Sequence, residues 1–201
     1  DMRKAVAYAL PYEDIVETAY YGQARQWKGL VHTEYPYSYE KDFYEYDPEK
    51  AKEHMAKAGF PDGEGLEEFS ESLELTYVVE RASFLEPVAV LMQSALAEVG
   101  MPVRLNPIPN VQYGDRMIVK KVLPMGLNDL EKAMAPDAAY NIKLYFVTNP
   151  EGLNNMANYS NARVDELFHK SLGEGDPEKR AEMLDEAQTI LMEELAWVPV
   201  V

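Results

Sequence analysis

The chain has 201 residues, 47% of them hydrophobic, enough for a folded domain with a real core. Its 35 acidic against 19 basic side chains give a net charge of −16, a field that repels phosphate backbones and anionic lipid, so nucleic-acid and membrane-surface partners are excluded as expectations. No apolar run approaches the roughly 18–20 residues of a membrane span, so direct membrane insertion of this segment is not expected either, and the absence of cysteine removes disulfides, thiolate catalysis and cysteine metal sites while leaving the compartment open.

Met2, Ala5, Val6 and Ala9 carry helical spacing from the first residues, and the mixed run Ala5 to Leu10 is too short for a secretory leader. The last residues, Val198-Pro199-Val200-Val201, form an apolar, strand-like run, and both ends are expected to be cuts through a longer protein. Tyr12 to Tyr21 predicts a short helix with Ile15, Val16, Ala19 and Tyr20 inward. Gly22 to Tyr46 has no sustained period and reads as a long, aromatic-rich connection, a kind of segment that is often functional. Asp47-Pro48-Glu49-Lys50 has the chemistry of a helix start, with Asp as cap, Pro in the first position and an acid in the first turn. That helix runs through Ala51, Met55 and Ala58 to Gly59.

Leu73 to Val79 and Val103 to Ile108 predict strands. Between them, Ser83-Phe84-Leu85-Glu86 forms a capping box opening a helix with Phe84, Val88, Leu91, Met92, Ala95, Leu96 and Val99 on one face, stopped at Gly100. Strand, helix and strand make a βαβ unit with parallel strands and a right-handed crossover. Pro124 to Leu127 predicts a further short strand. Asn161 caps a helix carrying Val164, Leu167, Phe168 and Leu172 up to Gly173. Asp176-Pro177-Glu178-Lys179 repeats the earlier helix start and leads Leu184, Ala187, Leu191 and Leu195 along a long helix. No internal repeat is present, and residues 1–201 are expected to form a single α/β lobe.

Catalytic motifs are missing. His32, His54 and His169 are far apart and share no metal-binding helical spacing, so neither a metal nor another cofactor is expected. There is no G-x-S-x-G elbow, P-loop or G-x-G-x-x-G turn. Acidic neighbours such as Glu67-Glu68 and Glu193-Glu194 point apart on a helix and are solvated faces. Two features stand out as candidate sites. Trp27, Tyr35, Tyr37 and Tyr39 lie in the long connection. The three tyrosines alternate, so an extended segment would show them on one side as a recognition surface. Alternatively these rings pin the loop to the body of the domain. Asn128 and Asp129 follow Gly126-Leu127 at the carboxyl end of a short strand, where open α/β sheets meet ligands. Each could equally cap a turn.

The order of motifs resembles family 5 solute-binding proteins, the oligopeptide-, dipeptide- and nickel-binding components of ABC importers. Met2-Arg3-Lys4-Ala5-Val6-Ala7-Tyr8-Ala9-Leu10, with Ile15-Val16 and Gly22, is similar to the opening of that family's second lobe. Tyr46-Asp47-Pro48-Glu49-Lys50-Ala51-Lys52 with Ala58-Gly59-Phe60, Leu91 to Val103 with Gln93, Leu96 and Gly100, Asn158 to Leu167, and Asp176 to Gln188 with Trp197-Val198-Pro199 continue the resemblance in order across nearly the whole chain. It implies a periplasmic-binding-protein-like lobe, with a mixed, mostly parallel sheet flanked by helices, and no enzyme activity. It also implies capture of a peptide or other small polar solute, with an ABC transporter permease and the missing first lobe of the same protein as partners. The setting it implies is periplasmic or lipid-anchored. Peptide-binding members commonly carry a Trp and an amine-pairing Asp soon after the glycine of this strand. Here Gly126 is followed by Leu127-Asn128-Asp129 and extra length before Pro136-Asp137, so Asp129 is a substitute for that acid or the site is built for something else. Two other classes stay open: an acidic α/β enzyme domain using Asp129 or Asp137, and a sensor ectodomain on the same fold.

Overall fold

Short-range chemistry starts and stops most elements of this chain. The structure, a computed structural model, describes residues 1–69, 73–129, 135–150 and 154–201. The chain divides into two compact units, one of Asp1–Gln26, Tyr44–Asp129 and Val200–Val201, the other of Trp27–Phe43 and Leu130–Pro199.

The first unit is built on three strands, β1 (Glu74–Val78), β2 (Arg104–Ile108) and β3 (Met125–Gly126). They lie in the order β2-β1-β3, and both pairings are parallel. The expected sheet was mixed and mostly parallel; among the described residues it is parallel throughout. Helix α4 (Ala82–Glu98) connects β1 to β2 and packs on both, which is the expected βαβ unit. Helix α1 (Met2–Ala9) packs against α3 (Pro48–Lys57) and α4. The Asp47 carboxylate caps α3 by accepting from the Lys50 N–H at 3.0 Å. Helix α2 (Tyr12–Asp14) runs into a π-helical turn at Ile15–Ala19, so the short helix expected there exists but widens midway. A second π-helical turn, Asp115–Val119, follows α5 (Asn110–Gly114).

The capping box at Ser83 does not form. A 3-10 turn, Val79–Arg81, carries the chain from β1 directly into α4, so the helix begins at Ala82 and Ser83 lies exposed inside its first turn. This start sets the helix phase: Phe84 is 66% exposed, and Leu85 takes the core position. The stop is as expected. Gly100 has φ +86°, and a Cβ there would meet the Asp62 carbonyl oxygen at 2.6 Å. One on Gly63 would meet the Gly100 carbonyl oxygen at 2.0 Å, so the two turns require glycine in both.

The second unit is helical among its described residues. Asp137 caps α6 (Ala138–Tyr145), Asn161 caps α7 (Ala162–Gly173) and Asp176 caps α8 (Pro177–Glu193). Helix α7 packs on α6 and α8, burying Ile142, Phe146, Leu167, Phe168, Leu184 and Leu191. Leu172, expected inward, is exposed; the buried position of that last turn goes to Ser171, whose hydroxyl donates to the Phe168 carbonyl at 2.7 Å.

Strand β1 is buried at every residue, yet it contains Glu74 and Thr76. A buried carboxylate is tolerable only when paired and hydrogen-bonded. Glu74 Oε1 accepts from the Thr76 hydroxyl at 2.9 Å, from the Asn106 amide and from Arg116, while Oε2 accepts from Arg104 at 2.9 Å. Burial alone would raise the Glu74 carboxyl, but the bonds from Asn106, Thr76 and Arg104 and the charge of Arg116 outweigh it and hold it below its usual range. A depressed folded pKa contributes stability above the unfolded value that is lost as pH falls through the folded one. Glu74→Gln is therefore expected to lower the melting temperature at pH 7, with a deficit that narrows below about pH 4. Thermal unfolding of both proteins across pH 3–7 checks this.

Candidate functional site

The carboxyl end of the sheet in the first unit gathers polar groups from four segments. Strand β3 is held to β1 by its ladder and by the Leu127 N–H, which donates to the Thr76 carbonyl at 2.8 Å. This places Asn128, half-buried, and Asp129, exposed, just beyond the strand. The 3-10 turn after β1 brings Arg81 to the same edge, where its guanidinium donates to the Asp129 carboxylate. In the same turn, Glu80 accepts from the Asn110 N–H at 2.9 Å and ties the end of β1 to the end of β2. Tyr113 completes the edge, and Tyr20 lies near enough to feel the Asp129 charge. Tyr113 is buried and donates its hydroxyl to the Leu127 carbonyl at 3.0 Å. Burial, then the nearby Asp129 charge, pushes both the Tyr113 and Tyr20 hydroxyls upward in pKa, so both stay protonated donors. Among the described residues the edge thus presents the Arg81 cation, the Asp129 and Glu80 carboxylates and neutral hydrogen-bonding groups. The extra length after Asp129 falls on residues 130–134, outside the described residues.

Trp27, Tyr35, Tyr37 and Tyr39 belong to the second unit. Their segment is not extended, so the alternation does not line them up. The Tyr35 N–H donates to the His32 carbonyl at 2.9 Å and the Ser38 N–H to the Tyr35 carbonyl at 3.1 Å, making two successive turns, and Tyr37 has φ +63°. Tyr35 is buried beside His32, with ring centroids 5.1 Å apart. Tyr37 lies half-buried under the Arg180 guanidinium, 4.6 Å from the ring centre. Tyr39 has Lys41 over its ring at 4.3 Å, and its buried hydroxyl has no hydrogen-bond partner among the described residues. Trp27 is half-buried. Sequence reasoning missed Arg81, Tyr20 and Tyr113 as members of the strand-end cluster. An arginine three residues beyond a buried strand was the available signal for the first.

No group of three His, Cys, Asp or Glu among the described residues could hold a metal ion. His54 instead stacks on Tyr8 with ring centroids 5.6 Å apart, and burial, followed by the charges of Lys57 and Lys4, lowers its pKa. Among the described residues no helix is long and apolar enough to cross a membrane.

The parallel sheet flanked by helices is shared with solved periplasmic binding proteins. Residues 1–152 match the model for bacterial extracellular solute-binding proteins, family 5, middle region, and the chain belongs to that family. It is 28% identical to the glutathione-binding protein GsiB of Salmonella choleraesuis, over 100% of this chain and 38% of that protein. It is 30% identical to heme-binding protein A of Haemophilus influenzae, over 99% of this chain and 36% of the relative. The chain thus spans well under half the length of these relatives. Among solved structures, the periplasmic binding protein DppA of Helicobacter pylori, in complex with the peptide STSA, superposes with a TM-score of 0.84 at 21% identity, over 98% of this chain and 37% of that one.

The two buried tyrosine hydroxyls give a paired test. Tyr113→Phe forfeits a buried bond and is expected to cost about 0.5–1.5 kcal/mol, whereas Tyr39→Phe removes a hydroxyl with no partner among the described residues and is expected to be neutral or stabilising. Denaturant unfolding of the two variants measures the contrast.

Proposed function

We propose that this chain supplies one lobe of a solute-binding protein that captures a small zwitterionic solute, a peptide above all, and delivers it to an ABC importer. The observation that carries this is the Arg81–Asp129 pair at the carboxyl end of the parallel sheet. Two opposite charges side by side at a partly exposed strand end offer an anion for an ammonium group and a cation for a carboxylate. Asn128 beside them supplies directed hydrogen bonds. The relatives' names support a solute of this size and polarity, glutathione and a short peptide, while heme shows how widely ligands vary among them. Binding requires no covalent step, so the lobe is a clamp and not a catalyst. The protein works outside the cytoplasmic membrane, free in a periplasm or held by a lipid, with the permease and the other lobe as its protein partners. The aromatic loop, with Trp27, Tyr37 and Tyr39, is a second recognition surface in this reading, and Tyr35 a packing residue.

Calorimetry on the full-length protein, with glutathione and the tetrapeptide Ser-Thr-Ser-Ala as probes, tests this. Losing one hydrogen bond to a buried ligand group costs about 1–3 kcal/mol, so Asn128→Ala is expected to weaken binding roughly ten-fold while leaving the unliganded melting temperature nearly unchanged. Asp129→Asn is expected to weaken the free-amine probe and spare its N-acetylated form. If both variants lose stability and keep affinity, they are turn caps and the proposed site is wrong.

A further inference from the structure

We infer that Gln188 and Arg180 of α8 are positioning residues that hold the Trp27–Phe43 loop as a preformed recognition surface; this rests on the solute-capture reading above. The loop has no helix or strand, so its conformation must be imposed by other contacts. Part of it is local: the Lys41 N–H donates to the Lys28 carbonyl at 3.1 Å and Lys28 pairs with Asp42, which closes the base. Gly29 lets the two legs touch, since a Cβ there would lie 2.4 Å from the Tyr39 carbonyl oxygen.

The rest comes from α8. Gln188 is 1% exposed and sits in the helix among Leu184, Ala187 and Leu191, where an apolar side chain would pack as well. Its amide instead donates to the Tyr37 carbonyl at 2.8 Å and to the Leu184 carbonyl at 2.9 Å, and its carbonyl accepts from the Tyr39 N–H at 3.1 Å. One side chain thereby grips the loop backbone on both sides of Ser38. Two turns earlier on the same helix, Arg180 binds both Asp137 oxygens at 3.0 Å and the Ser171 carbonyl at 3.1 Å, with its guanidinium face over Tyr37. Tyr37 needs this support. Its φ of +63° is unfavourable for a residue with a bulky side chain and persists only where the surroundings over-determine it. Fixing the loop before a ligand arrives removes its ordering cost from the binding step, which is where such a clamp raises affinity. The Gln188 grip is spent on backbone atoms and occupies none of the loop's rings, while Arg180 covers one face of Tyr37.

The test uses Gln188→Met, which keeps the volume and loses the amide, and Arg180→Lys, which keeps the charge and loses the bidentate fork. Ile142→Val serves as a core control in the same unit. Hydrogen exchange and calorimetry with Ser-Thr-Ser-Ala and glutathione are run on each full-length protein. Gln188→Met is expected to speed exchange of amides 27–43 at least ten-fold, to leave the helices at wild-type rates, and to weaken the probe that the wild type binds about ten-fold. Arg180→Lys moves both readouts the same way by less, and Ile142→Val lowers the melting temperature without moving either. Exchange that rises equally through α6, α7 and α8 would show Gln188 to be ordinary core and overturn the inference. A loosened loop with unchanged affinity, while Asp129→Asn still weakens binding, would overturn it and leave solute capture standing. A wild-type protein that takes neither probe would remove both.

Discussion

Strand β1 is the constraint on which the first unit is built. A strand buried at all five residues cannot face water on either side, so it needs a hydrogen-bonding neighbour on each edge and a helix across its face. The chain supplies these with β2, β3 and α4. The same burial explains why the polar residues of β1 are so fully engaged. Glu74 can stay ionised there only because Thr76, Asn106, Arg104 and Arg116 converge on it. Because Arg104 and Asn106 lie on β2, that carboxylate also rewards the correct register of the first pair, in which Glu74 faces Arg104. A slip of one residue would strand the charge.

The parallel order has a second effect. All three strands end on the same side, so whatever follows them is gathered there without any special device: the turn with Glu80 and Arg81 after β1, α5 after β2, and Asn128 with Asp129 after β3. The strongly acidic character of the chain makes a cation at this edge informative. Arg81 offsets the charge of the nearby Asp129, so the two can sit side by side at this edge.

The parts of the fold legible in the sequence are those decided within a few residues. Asp47, Asn161 and Asp176 cap the helices they were expected to cap, Gly100 ends α4 with a left-handed turn, and the βαβ unit is in place. The errors arise where the way one element leaves another, or a distant residue, decides. Ser83 has the composition of a cap, but the tight turn leaving β1 starts the helix first. Tyr35, Tyr37 and Tyr39 alternate in a way that suits a strand, yet their backbone is shaped by Gln188, 149 residues away from Tyr39. The candidate site was half visible. Asn128 and Asp129 follow from strand-end reasoning, whereas the pairing of Asp129 with Arg81 spans 48 residues and no local pattern announces it.

Strand β3 is short, and its attachment has a consequence for how the protein folds and breathes. Two ladder pairs, one backbone bond to Thr76, the Tyr113 hydroxyl, the buried Leu127 side chain and the Arg81–Asp129 pair hold it. Its partner β1 lies some fifty residues earlier and the closure is repaid by two ladder pairs, against five between β1 and β2, so it is expected to follow the β1-α4-β2 unit. The edge bearing Asn128 and Asp129 is therefore expected to assemble late and to open at a free energy below that of global unfolding. A ligand held there would lock the last piece of the sheet to assemble, and occupancy would be felt as slower local opening as well as a higher melting temperature.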